Sequence, residues 1–265
     1  MRGLLAALFA CAVAWPAAAQ PAPTPDVLKE LAPTGKLRAA LNFGNGVLVQ
    51  GQYGSPRGIT PDLATELAKR LGVPLEFVNF PAAGKVFEAL SKAQVDVGFI
   101  AIELVRAAEV EFTAPYVIIE GTYMVAKTSP LKDVGDVDKP GIRIGVGLGS
   151  VYDLFLTRTL KHAALVRNPK GGAAGGIEPF VEQKLDAAAG VRQPLDLYAA
   201  SHPEMRVMAG TFDQIRQAMG TPKGRLAGAA YLQAFIEEMK KSGFVAGAVK
   251  RAGQTAQVAP PAIAR

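Results

Sequence analysis

Arg106 opens the stretch Arg106-Ala107-Ala108-Glu109-Val110-Glu111-Phe112-Thr113-Ala114-Pro115-Tyr116, just beyond the mostly apolar run Val95 to Ile100. A guanidinium keeps its charge at any working pH. Its planar fork of donors meets a carboxylate through two parallel hydrogen bonds, so one such group in apolar surroundings can define an anion site. A surface ion pair, or one between two parts of the fold, accounts for the same residue without a ligand. A second anion contact is suggested by Gly149-Ser150-Val151, where a glycine-rich strand-to-helix turn exposes backbone N–H groups at the positive end of a helix. As an ordinary turn and N-cap it needs no ligand.

Other chemistries find little support. The two histidines, His162 and His202, neighbour no nucleophile motif, so a triad lacks its base. Metal-ligand spacing is absent, no cofactor motif occurs, and no catalytic residue is assigned. The single cysteine, Cys11, leaves nothing for disulfides or thiol chemistry once a leader is removed. The net charge of +6 comes from scattered basic residues, which argues against a nucleic-acid partner.

That leader is legible at the N-terminus. Met1-Arg2 precedes an apolar run from Leu4 to Trp15 and the small residues Ala17-Ala18-Ala19, the pattern of a secretory signal peptide over residues 1–19. Leu8-Phe9-Ala10-Cys11 resembles the box before a lipidated cysteine, but Phe9 is bulky for it, so a soluble exported form is expected. About 245 residues then remain, enough for two lobes with a core each or one large α/β domain. No second segment is long and apolar enough to span a bilayer.

The elements that must position Arg106 follow from periodicity. Lys36 to Leu41, Leu75 to Phe80 and Val95 to Ile100 read as strands, with helices opened by Thr60-Pro61-Asp62 and spanning Lys85 to Lys92 between them. Thr60 is expected as the N-cap, and Gly72 as the end, of the first of these helices. This β-α-β-α-β order predicts a parallel sheet with crossover helices. Gly121 to Lys127, Arg143 to Gly147, Ala187 to Val191 and Arg206 to Ala209 read as further strands. Helices are expected at Val27 to Leu31, Ser150 to Lys161, Glu178 to Leu185, Ala230 to Lys241 and Phe244 to Arg251. Asn168 to Gly176 reads as a flexible connection, and residues 254–265 as a flexible tail.

Three stretches, in this order and spacing, carry a family resemblance: Gly58-Ile59-Thr60-Pro61-Asp62-Leu63-Ala64 with Leu71-Gly72-Val73, then Gln94-Val95-Asp96-Val97-Gly98, then Arg106-Ala107 through Phe112, Pro115 and Tyr116. A fourth, Gly145 to Ser150, is weaker because such turns are common. Over nearly all of the chain after the leader it resembles the bacterial extracellular solute-binding proteins of family 3, the polar amino-acid type of type II periplasmic binding protein. The resemblance implies an α/β, two-lobed Venus-flytrap fold with a ligand cleft between lobes joined by two crossing strands. Lobe 1 would comprise residues 27–120 with 211–253, and lobe 2 residues 121–210.

Carried over residue by residue, the resemblance has Arg106 grip a solute carboxylate, with Ile100 and Ala101 offering backbone groups nearby. Asn42 and Phe43 would line the cleft from the first lobe, although core packing explains Phe43 equally well. Gly149, Ser150 and Val151 would face them from the second. Glu103 stands where relatives often carry threonine and is expected to pair with solvent or Arg106. The chain departs from the family at Val191: the acid that holds an amino acid's ammonium is missing there, and Arg192 follows. A carboxylate or dicarboxylate without a free amine would not need that acid, and Arg192 is a candidate second anion contact or a solvent-facing residue at a strand end. The resulting expectation is a monomeric periplasmic binding protein, not an enzyme, that delivers a small carboxylate, amino-acid-like or not, to the permease of an ABC importer. A ligand sensor for a membrane signalling protein, and a dehydratase-like enzyme using Glu103 or Glu120 on the same fold, are the alternatives.

Overall fold

A computed structural model describes residues 22–172 and 175–263. The expected leader at 1–19 and Cys11 lie outside them. The first half of the chain forms α1 (Pro25–Leu31), β1 (Leu37–Asn42), the hairpin β2 (Gln50–Gln52) and β3 (Ser55–Arg57), α2 (Ile59–Leu71), β4 (Leu75–Phe80), α3 (Ala83–Ser91), β5 (Val97–Ala101), the single turn α4 (Leu104–Ala107) and the 17-residue strand β6 (Val110–Ala126). There follow β7 (Arg143–Gly147), α5 (Val151–Thr159), β8 (Ala164–Asn168), α6 (Ile177–Glu182), β9 (Ala187–Val191), α7 (Arg192–Ser201) and β10 (Met205–Val207). The chain then returns along β11 (Asp213–Pro222) and closes with α8 (Leu226–Lys241), α9 (Phe244–Arg251) and the short β12 (Gln257–Val258).

The strand order is β4-β1-β5-β11-β6-β9-β7-β8. β1 runs parallel to β4 and β5, the arrangement the β-α-β-α-β pattern predicts, and β7 runs parallel to β8 and β9. Between these two parallel halves lie β6 and β11, antiparallel to each other and to their neighbours β9 and β5. At about 3.3 Å per residue β6 is roughly 55 Å long, enough to serve both halves. Its first part pairs with β11 and its last part with β9 and β10. Helices cover both faces, which is why the inner strands β5 and β9 read as runs of buried residues rather than as an alternation.

The two halves are pinned by the same device. Asp96, fully buried just before β5, accepts from the backbone N–H of Arg38 on β1 at 3.0 Å, while its own N–H donates to the Arg38 carbonyl at 2.9 Å. Asp186, just before β9, accepts from the N–H of Arg143 on β7 at 2.8 Å and donates to the Arg143 carbonyl at 3.0 Å. Asp96 goes further: its carboxylate also binds the Arg38 guanidinium at 2.8 and 2.9 Å and Arg225 at 3.1 Å, while Thr221 donates to its backbone carbonyl at 2.9 Å. One acid thus ties β1, β5, the end of β11 and the lead into α8 together. The Gln94-Val95-Asp96-Val97-Gly98 motif is therefore structural.

Several expectations are corrected. Helix α2 begins at Ile59 behind Gly58, whose φ of +118° turns the chain. Thr60 is buried inside the helix with its hydroxyl on the Leu48 carbonyl, so it is not the N-cap. The expected tail is partly ordered: Gln257 and Val258 pair with Ile118 and Val117 of β6, and the Ala259 N–H donates to the Tyr116 carbonyl. β6 is long enough to offer backbone groups there that β9 and β10 do not reach. Arg192, expected at a strand end, opens α7.

Replacing Asp96 with Ala leaves two arginines without their shared acceptor, and removing one partner of a buried pair costs about 3–5 kcal/mol. Because Arg38 and Arg225 are partly exposed, we expect a loss near the lower end, about 3 kcal/mol, read as a lower midpoint in urea unfolding.

Candidate functional site

The end of β5 places Arg106. The Ile102 N–H donates to the Arg216 carbonyl of β11, which anchors the turn. Glu103 caps α4 by accepting from the Val105 N–H at 2.8 Å. Its other oxygen binds Arg158 of α5, so Glu103 is buried against an arginine of the other half and pairs with neither solvent nor Arg106. Arg106 is itself almost wholly buried, with 1% of its surface exposed. It donates to the Ala101 carbonyl at 3.0 Å and, across to the β7–α5 turn, to the Gly149 carbonyl at 2.9 Å. Among the described residues it has no ion-pair partner. Burial pushes its pKa down to about 10, against the opposing charge of Glu103. Burying a cation without an anion is costly, and carbonyl dipoles repay only part of that cost.

The facing turn is built by Ser150 and Asp153. The Ser150 hydroxyl accepts from the Asp153 N–H at 3.0 Å, and the Asp153 carboxylate accepts from the Gly149 N–H at 2.9 Å. The Ser150 N–H donates to the Gly147 carbonyl at 3.1 Å. Two of the backbone donors expected to be free are thus used inside the turn, because Asp153 sits where it can reach back to Gly149. The Val151 N–H, in the first turn of α5, has no intrahelical acceptor. Asp153 is committed as well, accepting from Arg167 at 2.9 Å.

Between Arg106 and this turn lies a cavity of about 40 Å³. Asn42, Ala101, Arg106, Ser150 and Val151, all expected at the site, line it together. Ile100, expected to offer a backbone group, is not among the lining residues, and its side chain packs in the core with Val86 and Leu90. Phe43 packs on Tyr53, with ring centroids 4.6 Å apart, beside the cavity rather than in its lining. Arg192 is also elsewhere. Its guanidinium binds Glu120 on β6 and the carbonyls of Met208, Ala209 and Gly210 at 2.9–3.0 Å, which ties the start of α7 to the crossing strands. As a second anion contact it is corrected: its donors face backbone carbonyls.

Sequence reading missed Asn45, Ala82, Val191 and Gln217, all of which line the cavity. Asn45 belongs to the loop already marked by Asn42 and Gly44. Val191 was noticed for the acid it lacks. Nothing local marks Gln217, which reaches the cavity from β11.

The halves meet along a seam of residues with little or no side chain. A Cβ on Gly149 would lie 3.6 Å from the Gly84 Cα, one on Gly44 would fall 2.8 Å from the Gly172 Cα, and one on Gly171 would fall 2.9 Å from the Ala82 Cβ. Gly171 and Gly172, at φ of +62° and +80°, belong to this seam, so that part of the expected flexible connection has a packing role. Ala173 and Ala174 lie outside the described residues.

Two parallel β/α halves joined by two antiparallel strands, with a buried cation in the cavity between them, define a two-lobed solute-binding protein of the type II periplasmic class. A model of the bacterial extracellular solute-binding proteins, family 3, matches residues 48–254, and the chain belongs to that family. Solved structures agree on the fold. The cysteine-binding protein from Campylobacter jejuni aligns with a TM-score of 0.72 at 18% identity, over 85% of this chain and 92% of its own. A mutant of ArgBP from T. maritima aligns with 0.71 at 20% identity, over 86% and 99%. The ancestral amino acid-binding protein AncCDT-1, a precursor of cyclohexadienyl dehydratase, aligns with 0.69 at 24% identity, over 84% and 98%. No curated protein matches the chain significantly. Among the described residues no helix is long and apolar enough to cross a membrane.

Gly84 is a direct probe of the seam, since the three atoms nearest to a Cβ there all belong to Gly149, at 3.6–3.9 Å. Gly84→Leu should hold the halves apart, giving a larger radius of gyration in small-angle scattering and about tenfold weaker solute binding. Its melting temperature should change little.

Proposed function

We propose that this protein is the substrate-binding component of an ABC importer, exported to the periplasm, that captures a small carboxylate-bearing solute by closing its two lobes around it. The observation that carries this reading is Arg106, a buried guanidinium without a counterion, at a cavity between the halves and hydrogen-bonded to both. Two of its five N–H donors are given to carbonyls, which leaves the fork able to take a carboxylate as well. Membership of family 3 supports the class. So do the relatives, which include an amino acid ABC transporter substrate-binding protein from Streptococcus pneumoniae bound to L-arginine.

On this reading residues 27–120 with 211–253 move as one lobe, residues 121–210 as the other, and β6 and β11 flex between them. A solute held by Arg106 from one side and by the α5 turn from the other makes more contacts in the closed form, so binding shifts the population toward closure. The closed surface is then what a permease recognises. A monomer suffices for this cycle, with no cofactor.

Thermal-shift measurements on the exported form, stripped of carried-over ligand, test the reading. A carboxylate at about 100 times its dissociation constant should add about 2.7 kcal/mol of stability. Arg106→Ala removes a charged hydrogen-bond donor worth about 1.5–3 kcal/mol, so affinity should fall at least about tenfold. A panel of carboxylates with no effect on either protein would refute the proposal.

A further inference from the structure

We infer that the solute is a small monocarboxylate whose body carries hydrogen-bond acceptors but no ammonium, such as a short 2-hydroxy or 2-oxo acid. This rests on the carboxylate-capture reading above and narrows it. Three independent features support it.

The first is charge. Among the described residues lining the cavity, Arg106 is the one side chain charged at neutral pH, and none is a carboxylate. The two acids nearest to hand are spent: Glu103 on Arg158 and the Val105 N–H, Asp153 on Arg167 and the Gly149 N–H. A single negative charge balances the cavity. A zwitterionic amino acid would bring an ammonium to a place already holding a buried cation, with no anion to receive it, and an unpaired buried charge is strongly disfavoured. A dicarboxylate would need a second cation, and the residue best placed by sequence, Arg192, is held by Glu120 and three carbonyls.

The second feature is hydrogen-bond polarity. The Asn42 side-chain oxygen accepts from the Gly44 N–H at 3.0 Å, and that of Asn45 accepts from the Val47 N–H at 3.2 Å. Only an amide oxygen can face a backbone N–H, so each asparagine has its NH₂ group left to offer. The Ala101 and Gly149 carbonyls already accept from Arg106. The two asparagines thus offer donors while the two carbonyls beside Arg106 are taken, and Tyr152 and Gln217, which also line the cavity, can donate as well as accept. That suits a hydroxyl or keto oxygen, whereas an ammonium needs acceptors.

The third is size and wall chemistry. About 40 Å³ is a few times the roughly 10–15 Å³ that one water requires, so the body has only a few heavy atoms. Ala82, Ala83, Leu148, Val151 and Val191 supply the apolar part of the wall. Val191 ends β9 and stands at the N-cap of α7.

The test is calorimetric titration of the stripped, exported protein with matched pairs: L-lactate against L-alanine, 2-hydroxybutyrate against 2-aminobutyrate, and L-malate as the dianion. The hydroxy acids should bind about 100-fold or more tightly than their amino counterparts and than malate, with binding lost in Arg106→Ala. Amino acids binding as well as hydroxy acids would overturn the inference and leave the capture reading standing. Tighter binding of malate would overturn the single-charge assignment. No binding by any of them, with Arg106→Ala indistinguishable from the parent, would refute the capture reading and this one with it. Val191→Asp supplies the reciprocal arm. Aspartate is a favoured N-cap, so the variant should melt no lower than the parent, and it should shift the alanine-to-lactate ratio at least about tenfold toward alanine. An unchanged ratio in a folded variant would overturn the role given to Val191.

Discussion

A guanidinium sealed from water and shared between two carbonyls, one from each half of the molecule, is the contact on which the rest of this structure converges. Ala101 and Gly149 are 48 positions apart in the chain, and only the crossing of β6 and β11 brings the ends of β5 and β7 face to face. Carbonyl dipoles satisfy hydrogen-bonding geometry but carry no net charge, so the site stays electrostatically unfinished. On the proposed function, that incompleteness is what an anionic solute would complete. The strands that present Arg106 and the facing turn are pinned at their far ends by two acid networks, Asp96 with Arg38 and Asp186 with Arg143.

Those networks show how two halves with little sequence likeness reach the same architecture. Asp96 with Arg38, and Asp186 with Arg143, each exchange the same pair of backbone and carboxylate hydrogen bonds at the start of a parallel strand pair. In both cases the acid fixes register where the pairing begins, and a one-residue slip would turn every side chain to the other face. Arg192 performs a related task at the junction: its hold on Glu120 and on the chain from Met208 to Gly210 binds the start of α7 to β6 and to the lead into β11.

Much of the first half was legible because its crossover helices and parallel strands have clear periods, and Arg106 was legible because a lone arginine after an apolar run is conspicuous. β11 was not. Gln214 and Arg216 interrupt its apolar character, and Gly220 and Pro222 look like turn residues, yet long-range pairing with β5 and β6 makes the segment a strand. With β11 unread, Gln217 had no route into the site. Arg192 was placed by its neighbour Val191 in the sequence, but the two diverge in space: the strand ends at Val191, whose side chain faces the cavity, and α7 starts at Arg192, which turns away. The free donors expected at Gly149 and Ser150 failed for a local reason, since Ser-x-x-Asp is also the pattern by which a helix satisfies its own first turn. Asp96 lies at the far end of β5 from Arg106, where it holds the scaffold, so the family motif around it marks architecture rather than the site.

The glycine and alanine seam bears on how readily the molecule can cycle. Long side chains lose up to about 1.5–2 kcal/mol of rotamer freedom each when immobilised, whereas glycine and alanine lose essentially none. Gly44, Ala82 and Gly84 meet Gly149, Gly171 and Gly172 with almost nothing to freeze. They also bury little apolar surface, so neither the joined nor the parted arrangement is strongly held by the seam itself. On the proposed cycle such a seam can part and rejoin with little resistance while β6 and β11 flex, and the weight that decides its position is left to whatever lies beside Arg106.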